Sequence, residues 1–135
     1  MRQKSTCSVI IAALVVGLVG GAASGAPPAH GGAYTKAQAA SGAKAYAANC
    51  ASCHGAKLQG VTAPALKGKD SPITGIRTVG YVYNFASTQM PLGKPGSLSP
   101  ATYAAIVAYI MQQNGHPAGT RTLTPSAAAH SNEKM

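Results

Sequence analysis

The feature that most constrains this chain is a cluster of two cysteines and one histidine. Cys50 and Cys53 are two of only three cysteines in 135 residues, and His54 follows them directly in the stretch NCASCHG. On a helix, positions i, i+3 and i+4 lie on the same side, so both thiols and the imidazole would face one way. The chain also has no tryptophan and one phenylalanine, which leaves a thin core. Small domains of this kind usually need a disulfide, a metal or a cofactor to be stable.

The C-x-x-C-H spacing is the attachment signature of a c-type haem. The sulfurs of Cys50 and Cys53 would form thioether bonds to the porphyrin, and a neutral nitrogen of His54 would bind its iron. The spacing therefore predicts one covalently attached haem c.

Three other chemistries compete for the same cluster. A redox disulfide of the thioredoxin type needs a strand-turn-helix context that this sequence lacks, and it leaves His54 without a role. A structural disulfide across so short a loop would stabilise little. A zinc site needs a fourth ligand from the histidines in the flanking segments. Those histidines are His30, His116 and His130.

The first 26 residues have the three parts of a secretory signal peptide. Arg2 and Lys4 form a basic start, residues 9–19 form an apolar run, and small residues follow. The run is shorter than the roughly 20 apolar residues that span a bilayer, so we expect cleavage between Ala23 and Ala26 and no stable membrane insertion afterwards. A retained N-terminal anchor is the alternative. An exported chain that keeps Cys50 and Cys53 would do so in an oxidising compartment, the periplasm.

The remaining sequence predicts helices joined by long loops. Thr35 and Gln38 form a T-x-x-Q capping box before an alanine-rich helix, and Ser99 with Pro100 begins a second helix that ends at NG. The segment VGYVYNFAS between them is a third candidate helix. Residues 116–135 show no helical period, which predicts a surface tail. The predicted organisation is a signal peptide (1–26), an all-α domain (27–115) and a C-terminal tail (116–135).

A sixth iron ligand should lie downstream, in a loop that can fold over the opposite haem face. Met90 stands in TQMPLGKPGSLS, a loop rich in proline and glycine, where a thioether can reach iron without disrupting a helix. Met111 falls inside the last helix, and His116 and His130 fall in the tail. Met90 is therefore the predicted ligand.

At these residues the chain resembles the class I c-type cytochromes, over residues 34–115. The family pattern G-x-x-x-aromatic-x-x-x-C-x-x-C-H is present as GAKAYAANCASCH. The resemblance implies a cytochrome c fold, in which Gly42 and Tyr46 of the first helix pack against Ile106 and Tyr109 of the last, crossing helix. Long loops would wrap around the single haem.

The resemblance also implies roles for residues in the loops. Pro64 matches the proline whose carbonyl accepts the proton of the ligand histidine, and Leu66 matches an apolar residue that packs on the ring. Arg77 and Tyr81 are candidates for hydrogen bonds to the haem propionates, or else surface residues. The stretch from Met90 to the last helix resembles periplasmic cytochromes that accompany PQQ-dependent dehydrogenases.

Charge and ligation together point to an electron carrier rather than an enzyme. From residue 27 onward, nine Lys or Arg stand against two acidic residues, a net charge of +7. Nucleic acid is excluded as a partner of an exported protein, so the charge either solubilises the surface or docks acidic redox partners, a dehydrogenase donor and an oxidase acceptor. The lysines that flank the haem-binding segments are Lys57, Lys67, Lys69 and Lys94.

Two other functions stay open at this stage. If Met90 does not bind the resting iron, a peroxidase-like enzyme or a gas sensor is possible. The chain is alternatively a cytochrome subunit held permanently in a dehydrogenase complex.

Overall fold

A computed structural model describes residues 31–135, and the predicted signal peptide lies outside the described residues. The described chain is all-α, as predicted, and its closest approach to a strand is one isolated bridge between Thr78 and Lys134. The helices are α1 (Lys36–Asn49), α2 (Ala51–His54), α3 (Val79–Gln89), α4 (Pro100–Gln113) and α5 (Pro125–Ala129).

Four of the described helices, α1, α3, α4 and α5, begin at side-chain caps, and the sequence analysis identified those of α1 and α4. The hydroxyl oxygen of Thr35 accepts a hydrogen bond from the Gln38 backbone nitrogen at 3.1 Å, which satisfies an N–H group that the helix itself cannot pair. Ser99 caps α4 in the same way, with Pro100 as the first helical residue. Thr78 caps α3, so the segment VGYVYNFAS is helical as predicted.

The two long helices α1 and α4 touch backbone to backbone. Gly42 is buried on α1, and a Cβ atom there would overlap the carbonyl group of Ala105 on α4. One helical turn further on, the rings of Tyr46 and Tyr109 pack together with centroids 5.4 Å apart. The glycine and the aromatic pair therefore set how closely the helices approach, as the sequence pattern predicted.

The apolar core lies mainly along α4. Its buried side chains include Ile106, Val107 and Met111, and Met111 is fully buried, so it is a core residue. Tyr34 and Leu58 add full burial from the segments around α1 and α2. None of the helices in residues 31–135 combines the length and the apolar character needed to cross a bilayer.

The helix that would place the cysteine motif on one side is not continuous, because one residue, Cys50, interrupts it. Cys50 has φ −126° and ψ −30°, outside the helical region, so α1 ends at Asn49 and α2 begins at Ala51. The hydrogen-bond series nevertheless continues through the break, because the Cys50 nitrogen donates to Tyr46 at 2.8 Å and the His54 nitrogen donates to Cys50 at 2.9 Å.

The expectation of a surface tail over residues 116–135 is wrong. This segment contains α5, and three of its side chains are buried in the core, with exposed fractions of 2% for Leu123, 0% for Ala128 and 4% for Met135. Sequence periodicity missed it because the segment is held by contacts with distant residues and carries only five helical residues of its own.

Replacing Gly42 by alanine should weaken the contact between α1 and α4. The added methyl group overlaps the Ala105 backbone, which cannot move aside as a flexible side chain would, so we expect a loss of about 1–3 kcal/mol in the free energy of unfolding. Denaturant titration measures it. Ser41→Ala, at the exposed neighbour, should change stability by less than about 0.5 kcal/mol. Equal stability of Gly42→Ala and wild type would contradict the assigned contact.

Candidate functional site

The cysteine motif occupies the corner between α1 and α2. Cys50, Cys53 and His54 are all half-buried, and the two thiols are not joined in a disulfide. The loop that follows folds back across α2, because the Cys53 carbonyl oxygen accepts hydrogen bonds from the next loop segment at 3.1 Å. These donors are the backbone nitrogens of Val61, Thr62 and Ala63.

The His54 ring is oriented by the carbonyl group of Pro64. The distance from His54 Nδ1 to the Pro64 oxygen is 2.8 Å, a hydrogen bond in which the ring nitrogen donates. Such a bond places the proton on Nδ1 and leaves Nε2 as a neutral nitrogen with a lone pair, the form that binds a metal. The turn that brings Pro64 to the ring needs Gly60, whose φ is +80° and which bonds the His54 carbonyl at 2.8 Å.

Leu66 and Asn114 close the far end of this loop. The backbone nitrogen of Leu66 donates to Leu58 at 2.9 Å, and its half-buried side chain packs on the core. The Asn114 amide donates to the Leu66 carbonyl at 2.9 Å, and its oxygen accepts from the Thr74 hydroxyl, also at 2.9 Å. The sequence indicated Asn114 only as the end of a helix, and its hydrogen bonds to the loop were not predicted.

Tyr46 supports the same corner from inside. Its hydroxyl group donates to the Gly55 carbonyl at 2.8 Å, directly after the motif. Burial, with smaller contributions from Cys50 and Tyr109, raises the pKa of Tyr46 from 10.0 to about 12. The ring therefore acts as a neutral hydrogen-bond donor at physiological pH.

The geometry disfavours the competing chemistries of the motif. Burial, and to a lesser extent Cys53, raises the pKa of the Cys50 thiol to about 11 in the unmodified chain, whereas reactive redox cysteines have lowered values. Among residues 31–135, no group of three or more His, Cys, Asp or Glu side chains is arranged to hold a metal ion. A bare zinc site therefore has no ligand set in this part of the chain.

Arg77 and Tyr81 lie together at the start of α3. The guanidinium carbon of Arg77 sits 4.5 Å from the centroid of the Tyr81 ring, a cation–π contact, and Tyr81 stacks on Phe85 with centroids 6.0 Å apart. All three side chains are exposed. A role for Arg77 and Tyr81 toward haem propionates stays a prediction.

Met90 directly follows α3, and its backbone is hydrogen-bonded to a side chain of α4. Its carbonyl oxygen accepts from the Tyr103 hydroxyl at 2.6 Å and from the Gly96 nitrogen at 3.2 Å, and its side chain is half-buried. Met90 shares no hydrogen bond with the cysteine motif among the described residues; the two are linked through α4 and α1. The sequence pattern does not predict this anchor, because the only signal is that Tyr103 carries a polar hydroxyl group on the buried face of α4.

The remaining candidate ligands are held elsewhere. His116 Nδ1 pairs with Glu133 at 2.9 Å, and His130 Nδ1 bonds the Ser126 carbonyl at 2.9 Å, both within residues 116–135.

The residues around the motif fit an apolar, metal-centred ring. The donor set has one oriented imidazole and two unpaired thiols at the attachment spacing. Among residues 31–135, five large apolar side chains are exposed, and all follow the motif in the sequence and end in the loop after Met90. They are Val61, Ile76, Tyr81, Phe85 and Leu92.

Comparison with known proteins decides the family. A family model described as cytochrome c oxidase, cbb3-type, subunit III, matches residues 37–110. The chain belongs to this family of cytochrome c domains. The cytochrome therefore carries covalently bound haem c and transfers electrons, and its α1–α4 contact is part of the family fold.

Two similar proteins are dehydrogenases of sulfur compounds. The chain is 38% identical over 95 residues to a thiosulfate dehydrogenase of Stutzerimonas stutzeri (strain A1501), covering 64% of this chain and 31% of that protein. It also matches the crystal structure of the sulfane dehydrogenase SoxCD from Paracoccus pantotrophus, with 31% identity and a TM-score of 0.54 over 67% of this chain and 50% of that chain. The match thus spans about a third of the length of the thiosulfate dehydrogenase and half the length of the matched SoxCD chain.

Tyr46→Phe should change both the stability and its dependence on pH. Between pH 10 and 12 the folded state keeps a Tyr46 proton that the unfolded state has lost, so the free energy of unfolding falls as pH rises. The variant should lack this contribution, and at neutral pH it should lose about 1–2 kcal/mol because the Gly55 carbonyl loses its buried partner. Denaturant titrations across this range measure both. If the free energy of unfolding of the variant falls with pH between 10 and 12 as steeply as that of wild type, Tyr46 is not the group responsible.

Proposed function

We propose that this cytochrome is a periplasmic carrier of single electrons, in which His54 Nε2 and the Met90 sulfur would hold the iron and thioethers at Cys50 and Cys53 would hold the porphyrin. When bound, the haem supplies a one-electron iron couple. The observation that carries the proposal is the 2.8 Å bond between His54 Nδ1 and Pro64, which presents a neutral nitrogen beside the two attachment thiols.

Met90 supports a carrier rather than an enzyme. With His54 and Met90 both holding the iron, no position would stay open for oxygen or a substrate, and methionine would favour the reduced iron. The bonds from Tyr103 and Gly96 hold the Met90 backbone, so a thioether there is positioned before any ligation. Pro64, Leu66 and Tyr46 would then keep the histidine side of the site rigid.

We propose that the electron donor is a dehydrogenase of a sulfur compound. Both named relatives are such dehydrogenases, and each matches about two thirds of this chain. This favours a sulfur-compound donor over the PQQ-dependent dehydrogenases suggested by the resemblance of the Met90 loop. The acceptor would be a terminal oxidase or another respiratory component downstream.

The positive charge supports docking of an acidic partner. Lys57 and Lys94 are exposed beside the motif loop and the Met90 loop, whereas Lys69 forms a local ion pair with Asp70 at 2.8 Å and Lys67 bonds Gln113 at 3.3 Å. Charge steering of this kind raises the rate of encounter more than the lifetime of the complex.

A permanent place in a dehydrogenase complex is the second candidate. It is favoured by the similarity to SoxCD, because the matched chain belongs to the crystal structure of a sulfane dehydrogenase. Co-purification with a dehydrogenase subunit that survives high salt would support this arrangement over a free carrier.

Met90→Ala should open the iron. The oxidised wild-type protein should show the red absorption band of sulfur-to-iron charge transfer, and the variant should lose the band and bind carbon monoxide when reduced. Met111→Leu is the matched control, because Met111 is fully buried in α4 and a similar apolar side chain can replace it. An unchanged spectrum in Met90→Ala, or free carbon monoxide binding by the wild type, would refute the ligand assignment and favour a peroxidase-like or sensor function.

Reduction by a sulfur-compound dehydrogenase should be fast at low salt. Stopped-flow mixing with a thiosulfate dehydrogenase and its substrate should reduce this cytochrome, and added salt should slow the step by about tenfold as charge steering is screened. Lys94→Gln should slow it more than Lys36→Gln, at the start of α1. Faster reduction by a PQQ-dependent alcohol dehydrogenase under matched conditions would contradict the proposed donor.

A further inference from the structure

Residues 116–135 run back over the molecule from the end of α4, and we call this segment the strap. Its first part is tied to the beginning of the described chain. The Tyr34 hydroxyl donates to the His116 carbonyl at 2.5 Å, and the Gly119 nitrogen donates to the Tyr34 carbonyl at 2.6 Å. The family match ends at residue 110, so the strap lies outside it.

The side chain of Gln38 fastens the middle of the strap. Its amide nitrogen donates to the Leu123 carbonyl at 2.8 Å, and its oxygen accepts from the Leu123 nitrogen at 2.9 Å. In a capping box this side chain would bond its own helix start, but here it pairs with a backbone 85 positions away. The Leu123 side chain, next to this pair of hydrogen bonds, is buried.

The last part of the strap caps α3. The first backbone N–H groups of a helix have no partner within it, and two of those in α3 donate to the strap. The Val79 nitrogen bonds the Glu133 carbonyl at 2.8 Å, and the Gly80 nitrogen bonds the Ser131 carbonyl at 3.0 Å.

Helix α5 of the strap packs against both α3 and α4. The Asn84 amide, in the middle of α3, donates to the Ala129 carbonyl at 3.1 Å, and Ala128 is fully buried. Just before α3, the Met135 nitrogen donates to the Arg77 carbonyl at 2.9 Å. The strap therefore holds α3 at its start and along its first half.

We propose that the strap is a positioning element that keeps Met90 on the iron by holding α3 against α4. Met90 directly follows α3, and its nitrogen still bonds the Ala86 carbonyl of that helix at 3.1 Å. Because the eleven-residue helix α3 is rigid, a displacement at its start also displaces Met90 at its end. The α4 side of Met90 is held separately by Tyr103. This inference rests on the proposed ligation by Met90.

Gly80→Ala tests the strap at its contact with α3. A Cβ atom at Gly80 would lie 2.8 Å from the Ser131 oxygen and 2.9 Å from the Ala129 oxygen, so the strap must move away. Alanine is otherwise the better helix former, so an effect on α3 alone would stabilise the protein. We expect imidazole to bind the oxidised holoprotein about tenfold faster in the variant, the scale of one or two lost hydrogen bonds, with a weakened charge-transfer band and a lower reduction potential.

Ala40→Gly is the control for lost stability, because it weakens α1 at an exposed position and alters no side chain that bonds the strap. It should lower the free energy of unfolding by about 1 kcal/mol and leave the imidazole rate within about twofold of wild type, because α3 and the strap keep their contacts. Asn84→Ala, at an exposed side chain, removes one strap bond without a steric clash and should give a smaller rise in the same direction. This second variant keeps the test decisive if Gly80→Ala does not fold.

Three outcomes overturn the inference, and they are distinguishable. Wild-type imidazole rates in both Gly80→Ala and Asn84→Ala, with the charge-transfer band intact, overturn the strap alone. A wild-type protein without the band overturns the Met90 ligation and the strap's role with it. An equal rise in Ala40→Gly would show that general loss of stability is the cause, and this also refutes the strap.

Discussion

The backbone contact between α1 and α4 at Gly42 is the constraint on which the other parts of the site depend. Helix α1 leads directly into the cysteine motif, and α4 holds the two loops that complete the site. Tyr103 of α4 bonds the Met90 carbonyl, and Asn114 at its end bonds the Leu66 carbonyl. A wider separation of the two helices would therefore move both sides of the site relative to each other.

The polypeptide core of this protein is small, and the covalently bound haem would extend it. The buried side chains gather along α4, while five large apolar side chains between residues 61 and 92 stay exposed in the polypeptide alone. A covalently attached porphyrin offers these side chains an apolar surface, and its burial adds to the stability of the fold.

The site combines a family pattern with contacts of this chain's own. The His54–Pro64 bond and the α1–α4 contact lie within residues 37–110, which match the family model. The strap lies beyond that match, yet it caps α3 through backbone carbonyls of Ser131 and Glu133. Because these contacts use backbone atoms, many sequences can make them. A family pattern of side chains therefore does not reveal them.

The sequence by itself determined the features that depend on near neighbours. The spacing of Cys50, Cys53 and His54, the caps at Thr35 and Ser99, and the glycine and aromatic face of α1 are all local patterns with one dominant physical meaning. Only the tertiary structure decided the helix break at Cys50, the hydroxyl anchor from Tyr103 and the packing of residues 116–135. These depend on hydrogen bonds between residues far apart in the chain, and such partners leave no periodic signal because their pairing exists only once the helices have met.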